Sequence, residues 1–152
     1  KLDKTASAAP KAGAAKLDER RAVQVYFDGT VNSKLPWTFT PNVMSMSVVP
    51  GKLYEASFSA RNTAAYPVVG NAAPSIAPNQ YSSFFNKTEC FCFTEQALQA
   101  GESRDMPVRF IVSPDLPKEI KTLTLSYTFF INDAATAKLN PKAATTAVSS
   151  AP

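Results

Sequence analysis

Thr122-Leu123-Thr124-Leu125-Ser126-Tyr127-Thr128-Phe129 alternates without a break, and Phe130-Ile131 closes the run. Leu123, Leu125, Tyr127 and Phe129 fall on one side of an extended chain, and Thr122, Thr124, Ser126 and Thr128 on the other. Successive side chains of a strand point to opposite faces, so this period of two predicts a strand with one apolar and one hydroxyl-rich face. The same pattern recurs on either side of it. Val108, Phe110 and Val112 share a face within 105–113, Tyr54, Ala56, Phe58 and Ala60 within 53–60, and Val23, Val25 and Phe27 within 22–28. Shorter extended runs are expected at 38–40 and 43–49, separated by Pro41, and an edge or irregular strand at 64–69, because Pro67 cannot donate to a ladder. Pro50-Gly51 and 114–118 read as turns, 70–80 as a loop around Gly70, Pro74 and Pro78, and 96–102 as a short connection. No segment offers sustained helical spacing. About seven short strands with Pro-bearing turns predict an all-β fold, an antiparallel β-sandwich, with a closed barrel as the alternative.

The two ends read differently from this middle. Residues 1–20 and 134–152 are rich in Ala, Pro, Ser, Thr and Lys and lack hydrophobic periodicity, so both are expected to be flexible tails around an ordered domain at 21–133. Of 16 basic and 12 acidic residues, the first tail holds five and three and the second holds Lys138 and Lys142. The middle is left with nine of each. The net charge of +4 is therefore a property of the tails, and a nucleic-acid role, which needs a basic face on the folded domain, is not expected. No run approaches the length of a bilayer-spanning helix. A chain that opens at Lys1 without Met reads as a fragment of something longer.

Cys90-Phe91-Cys92-Phe93 holds both cysteines of the chain. With strict alternation through 85–95, Phe85, Phe91 and Phe93 take the core face. Cys90, Cys92 and Thr94 then project the other way, toward solvent or a partner. Two thiols flanking one residue have Cα atoms roughly 6.6 Å apart with parallel Cβ vectors, which disfavours an unstrained bridge between them. A shared metal relaxes that demand, since sulfurs bound at roughly 2.3 Å can stand about 4 Å apart. Thiolates select Cu(I), zinc or iron–sulfur clusters. Structural zinc and most clusters want four ligands and one chain supplies two, so ligand counting favours Cu(I), held by one pair or by two chains pooling four sulfurs. The bland alternative is a pair of small buried hydrophobes.

Little else carries chemistry. Without histidine there is no Ser-His-Asp or Cys-His machinery. The carboxylates are scattered singly, no phosphate-cradling loop occurs, and the thioredoxin spacing of two residues between cysteines is missing. No enzyme is expected.

The stretch Phe85-Asn86-Lys87-Thr88-Glu89-Cys90-Phe91-Cys92-Phe93-Thr94-Glu95-Gln96 resembles the signature of CtaG-type copper chaperones of cytochrome c oxidase assembly. The resemblance continues through Gly101-Glu102, Asp105-Met106-Pro107-Val108 and 123–130. Upstream it takes in Leu35-Pro36-Trp37, Val69-Gly70-Asn71-Ala72 and Pro74-Ser75, and in all it covers roughly 21–133. It implies an immunoglobulin-like β-sandwich on one N-terminal membrane anchor, absent from this chain. The expected location is the periplasmic face of the bacterial inner membrane or the mitochondrial intermembrane space. It implies Cu(I) bound by Cys90 and Cys92, received from an upstream copper donor and delivered to the copper B site of oxidase subunit I. The family's further cysteine, just after the membrane helix, has no counterpart here.

Three expectations extend this. Cys90 and Cys92 hold copper as thiolates, and a copper-bridged homodimer pools four sulfurs. Met106 is a site-adjacent thioether, with core packing as the bland reading; core packing is also expected for Met44 and Met46, which share a face. Lys87 and Glu89 fall on the phenylalanine face and reach the site only if the strand bulges. The rival classes are a plain interaction module with copper incidental, and a thiol reductant serving another copper protein.

Overall fold

The computed structural model describes residues 20–90 and 94–141. Among them nine strands form two sheets, where the sequence led us to expect about seven. They are β1 (Val23–Val31), β2 (Trp37–Pro41), β3 (Ser45–Val48), β4 (Leu53–Asn62), β5 (Val68–Ala77), β6 (Phe85–Cys90), β7 (Gln96–Leu98), β8 (Ser103–Val112) and β9 (Thr122–Ile131). One sheet runs β3-β1-β9-β5-β7 and the other β2-β4-β8-β6. The expected β-sandwich is therefore present. It is not wholly antiparallel: β1 and β9 pair in parallel, from Gln24 opposite Thr122 to Val31 opposite Phe129. Parallel neighbours need a long crossover, and here all the strands between β1 and β9 provide it.

Each alternating run buries the face its pattern marks. Val23, Val25 and Phe27, then Ala56, Phe58 and Ala60, then Val108, Phe110 and Val112, then Leu123, Leu125, Tyr127 and Phe129 all lie inside. Aromatic rings interlock within and between the sheets. Phe39 stacks on Phe58 at 5.0 Å and meets Phe129 edge-on at 4.8 Å, and Phe27 meets Phe58 edge-on at 6.2 Å. Such pairs add about 0.5–1.5 kcal/mol each beyond their buried area. Trp37 lies against Phe129 at 5.0 Å. A side chain at Gly70 would come within 3.0 Å of that indole ring and 3.1 Å of Phe129, which explains glycine at this point of β5.

Three segments depart from expectation. Residues 70–80 are not a loop throughout, because β5 continues to Ala77 through Pro74 and a 3-10 helix follows at Asn79–Phe84. Pro74 fits because β7 pairs only with Val68–Gly70, leaving β5 one open side beyond it. The 96–102 connection contains β7. The folded part also runs past residue 133, into α1 (Asp133–Leu139). Asn132 caps α1 by accepting from Ala135 N at 3.0 Å, and Thr136 Oγ1 accepts from Val69 N at 2.9 Å, so α1 is docked on β5. The Ala-rich composition that read as a tail also suits a helix once a cap and a docking site are supplied.

Asn62, at the end of β4, is a fully buried polar side chain. Its amide donates to the carbonyls of Tyr66 (2.8 Å), Leu98 (3.1 Å) and Gln99 (3.1 Å), and its Oδ1 accepts from Ala64 N at 2.9 Å. It ties β4 in one sheet to β7 in the other. Asn62→Ala strands several of these groups without water and is expected to lower unfolding free energy by about 2–4 kcal/mol. Urea denaturation of the two proteins checks this; a loss under about 0.5 kcal/mol would contradict the role.

Candidate metal centre

The cysteine motif begins at an irregularity in β6. Phe85, Asn86 and Lys87 pair with Val112, Ile111 and Phe110 of β8, and then the register shifts, with Glu89 opposite Arg109 and Cys90 opposite Val108. Thr88 is the extra residue of a β-bulge, and its Oγ1 donates to Arg109 O at 3.4 Å. A shift of one residue exchanges the faces of everything beyond it. Val112, Phe110 and Val108 all face the core, so the residues opposite them, Phe85, Lys87 and Cys90, share the inner side of β6.

This corrects the alternation reading for Cys90. The sulfur does not project away from the phenylalanine face. It is half-buried against the core, and its Sγ lies 2.9 Å from the hydroxyl of Tyr127, which belongs to the facing sheet. Tyr127 is fully buried, with its ring edge-on to Phe58 at 5.3 Å. Burial pushes the Tyr127 phenol well above its ordinary pKa, which keeps it protonated. A second correction concerns the bridge. Cys90 is disulfide-bonded, and the sequence holds one other cysteine, Cys92. The geometric objection to a bridge assumed regular strand through 85–95, and β6 ends at Cys90. Cys92, with Phe91 and Phe93, lies outside the described residues.

The remaining candidates fall as follows. Lys87 shares the inner face with Cys90, because the strand bulges after it. Its Nζ stands 5.9 Å from the Phe85 ring centroid, and partial burial lowers its pKa from the ordinary lysine value. Glu89 pairs through its backbone with Arg109, and its side chain is not among those described. Met106 is 1% exposed on β8, facing inward two residues from Val108. That makes it a core methionine diagonal to Cys90, a relation that spans roughly 7–8 Å between Cα atoms. Met44 and Met46 part company, Met44 being 69% exposed while Met46 packs against the core. Among the described residues no group of three or more Cys, Asp or Glu converges as a metal cage.

The motif is also fixed from its downstream end. Glu95 Oε2 accepts from Asn132 Nδ2 at 3.1 Å, and the same amide donates to Asn71 Oδ1 at 2.9 Å. Arg104 of β8 donates to Gln96 Oε1 (3.1 Å), Ala97 O (2.9 Å) and Glu102 Oε2 (3.1 Å). Glu102 Oε1 in turn accepts from Gln99 N at 2.7 Å, and this backbone bond, with Arg104, lowers the Glu102 pKa. β6 ends at Cys90 on the edge of one sheet and β7 starts at Gln96 on the edge of the other. Cys90 and Gln96, on either side of 91–93, therefore lie at the seam between the sheets. Reading the sequence missed Tyr127, Asn132 and Arg104 as their supports. Tyr127 did leave a signal, as the hydroxyl among the apolar residues Leu123, Leu125 and Phe129 on the inner face of β9.

Known proteins resemble the chain over the same span. The profile of the family described as cytochrome c oxidase assembly protein CtaG/Cox11 matches residues 2–131. A cytochrome c oxidase assembly protein CtaG from Rhodopseudomonas palustris (strain HaA2) is 45% identical over 115 residues, 72% of this chain and 55% of that protein. Its counterpart from Sinorhizobium medicae (strain WSM419) is 44% identical over 119 residues, 75% and 59%. The one from Paracoccus denitrificans is 43% identical over 133 residues, 85% and 68%. The chain thus spans between about half and two thirds of these relatives' length.

The bulge can be tested by deletion. Without Thr88, β6 alternates regularly and Cys90 still faces inward. In a Cys92→Ala background, the alkylation rate of Cys90 by a bulky maleimide is expected to stay within about twofold on deleting Thr88. Were β6 regular in the native chain, the deletion would turn an outward thiol inward and slow the reaction severalfold.

Proposed function

We propose that the chain, which belongs to the CtaG/Cox11 family of cytochrome c oxidase assembly proteins, is a carrier that binds Cu(I) through Cys90 and Cys92 and delivers it to the copper B site of oxidase subunit I. The observation that carries this reading is the placement of Cys90. A bulge turns it to the seam of a rigid sandwich, where a sulfur is held by fixed neighbours rather than on a free tail. Thiolate is the ligand form. The disulfide-bonded state is then the unloaded one, and a dithiol reductant, itself oxidised to a disulfide, would supply the two electrons and two protons that convert it to the thiol pair. Copper binding releases both thiol protons.

Two soft sulfurs form an under-coordinated Cu(I) site. An acceptor ligand can enter before a thiolate leaves, and that suits transfer to nitrogen ligands on the oxidase. Two copies meeting on a two-fold axis would offer the same patch twice and bridge copper with four sulfurs. Copper would come from an upstream donor. The site of action would be the periplasmic face of the bacterial inner membrane or the mitochondrial intermembrane space, with a membrane anchor outside this chain. No helix among the described residues is long and apolar enough to cross a membrane. The function is holding and transfer, not catalysis.

One observation favours a second reading. Because Cys90 is disulfide-bonded, the pair could serve as a thiol reductant for another copper protein. Anaerobic Cu(I) titration of the reduced chain, with light scattering, separates the two. A carrier is expected to bind about one Cu(I) per chain, doubling its mass on loading, and to lose the metal in Cys90→Ala plus Cys92→Ala. Disulfide turnover with no stoichiometric copper would favour the reductant. Copper retained without the two cysteines would remove the carrier reading.

A further inference from the structure

The contact between Cys90 Sγ and the Tyr127 hydroxyl joins the two sheets at the seam, and nothing in the copper-carrying function requires it. The direction of this bond follows from the sulfur's state. A disulfide-bonded sulfur carries no hydrogen, so the phenol is the donor and Cys90 the acceptor. The donor is also fixed in place. Tyr127 is fully buried, and β9 is paired on one side with β1 through Gly29 opposite Tyr127 and on the other with β5 through Pro74 opposite Tyr127. Its ring stands edge-on to Phe58. The acceptor is brought to it by the bulge in β6. A buried tyrosine hydroxyl among Leu123, Leu125 and Phe129 is costly unless bonded, so its presence calls for a partner in this part of the interior.

We propose that Tyr127 is a positioning residue of the sulfur site: its hydroxyl donates to Cys90 Sγ, sets the direction of that sulfur, and favours the reduced, ligand-competent state of the pair over the disulfide. The bias follows from acceptor strength. A hydrogen bond to an anionic or electron-rich acceptor is roughly twice as strong as one to a neutral acceptor, and a thiol or thiolate sulfur gains more from the donor than a disulfide sulfur does. Hydrogen bonds to sulfur are an established means by which proteins tune redox potential and metal affinity at sulfur ligands. The inference builds on Cys90 as a copper ligand, but its main test needs no copper.

The test equilibrates the copper-free chain with glutathione. Two glutathione thiols reduce the disulfide and leave one oxidised glutathione and both cysteines as thiols. In Tyr127→Phe the ring stays and the donor goes. The equilibrium is expected to move roughly tenfold toward the disulfide, which corresponds to about 30 mV. Tyr54→Phe is the control, since the Tyr54 hydroxyl accepts from Val49 N at 2.8 Å in the other sheet; it is expected to lose stability and leave the equilibrium unchanged. Should Tyr127→Phe fail to fold, a fluorinated tyrosine placed at 127 strengthens the donor and is expected to move the equilibrium toward the thiols. A shift under about twofold in Tyr127→Phe, or no response to fluorination, overturns the proposal. Cu(I) competition against a coloured chelator forms the second arm, with tenfold weaker retention expected in Tyr127→Phe. A wild-type chain that holds no copper but shows the redox shift would overturn the carrier reading and keep the role of Tyr127. Copper binding without the redox shift would do the reverse.

Discussion

Between Lys87 and Cys90, β6 carries one residue more than β8 can pair. Parity along a strand is unforgiving, because each residue added or removed exchanges inside for outside from that point on. Without the bulge, Phe85, Lys87 and Glu89 would all face the core and Cys90 would face out. An uncompensated carboxylate between two sheets is among the most costly things a sandwich can bury. The bulge sets the backbone of Glu89 opposite Arg109 in the ladder and returns Cys90 to the inner side. One local irregularity thus moves residue 89 off the inner register and brings a sulfur in. Lys87 stays on the inner side, half-buried, with its ammonium near the Phe85 ring and its pKa lowered by the lost water. A long aliphatic stem makes that burial tolerable for lysine where it would not be for glutamate.

The rest of the sandwich holds the two ends of the motif still. Upstream, β6 is locked to β8 and lies over the aromatic interior through Phe85, which stacks on Phe110 at 4.9 Å. Downstream, Glu95 is tied to Asn132, which also caps α1 and bonds Asn71, while Arg104 clamps Gln96, Ala97 and Glu102. These partners come from β5, β8 and the junction of β9 with α1. Asn62 adds a buried link between β4 and β7. The seam between the sheets is therefore cross-tied at several points, and a strand leaving one sheet at Cys90 re-enters the other at Gln96 between fixed posts.

The fold was legible wherever one face was apolar and the other polar. β9 matched its alternation from Thr122 to Ile131, and the inward residues of β1, β4 and β8 were the ones marked by their pattern. Legibility failed where tertiary context decides. Pro74 argued against a strand that is tolerated because β7 is short. The Ala-rich segment after Ile131 hid a helix whose cap, Asn132, and docking residue, Thr136, matter only once β5 is in place. The parallel pairing of β1 with β9 leaves no mark in either strand alone. At the site, Cys90 and Cys92 stood out by residue type, but the direction of Cys90 depended on a bulge that alternation cannot foresee. Met106 was read with two roles in view, and its burial fits the plain one, packing.

If the chain carries copper as proposed, its sulfur site faces a conflict that this arrangement eases. The pair has to hold Cu(I) in a fixed direction, yet an electron-rich thiol pair is also readily oxidised to the disulfide before any metal arrives. A fixed donor beside the sulfur acts on both sides of that conflict. On the proposed reading it sets the direction of Cys90 for the metal, and it stabilises the reduced pair that must be present before copper arrives. Placing the donor on the opposite sheet makes the effect depend on the sandwich being intact, since a sulfur and a phenol 37 residues apart in sequence meet at 2.9 Å only when the two sheets are closed. A loosened seam would lose the bond before it lost the cysteines. Readiness to carry copper, on this view, is a property of the folded seam as much as of the two residues that name the motif.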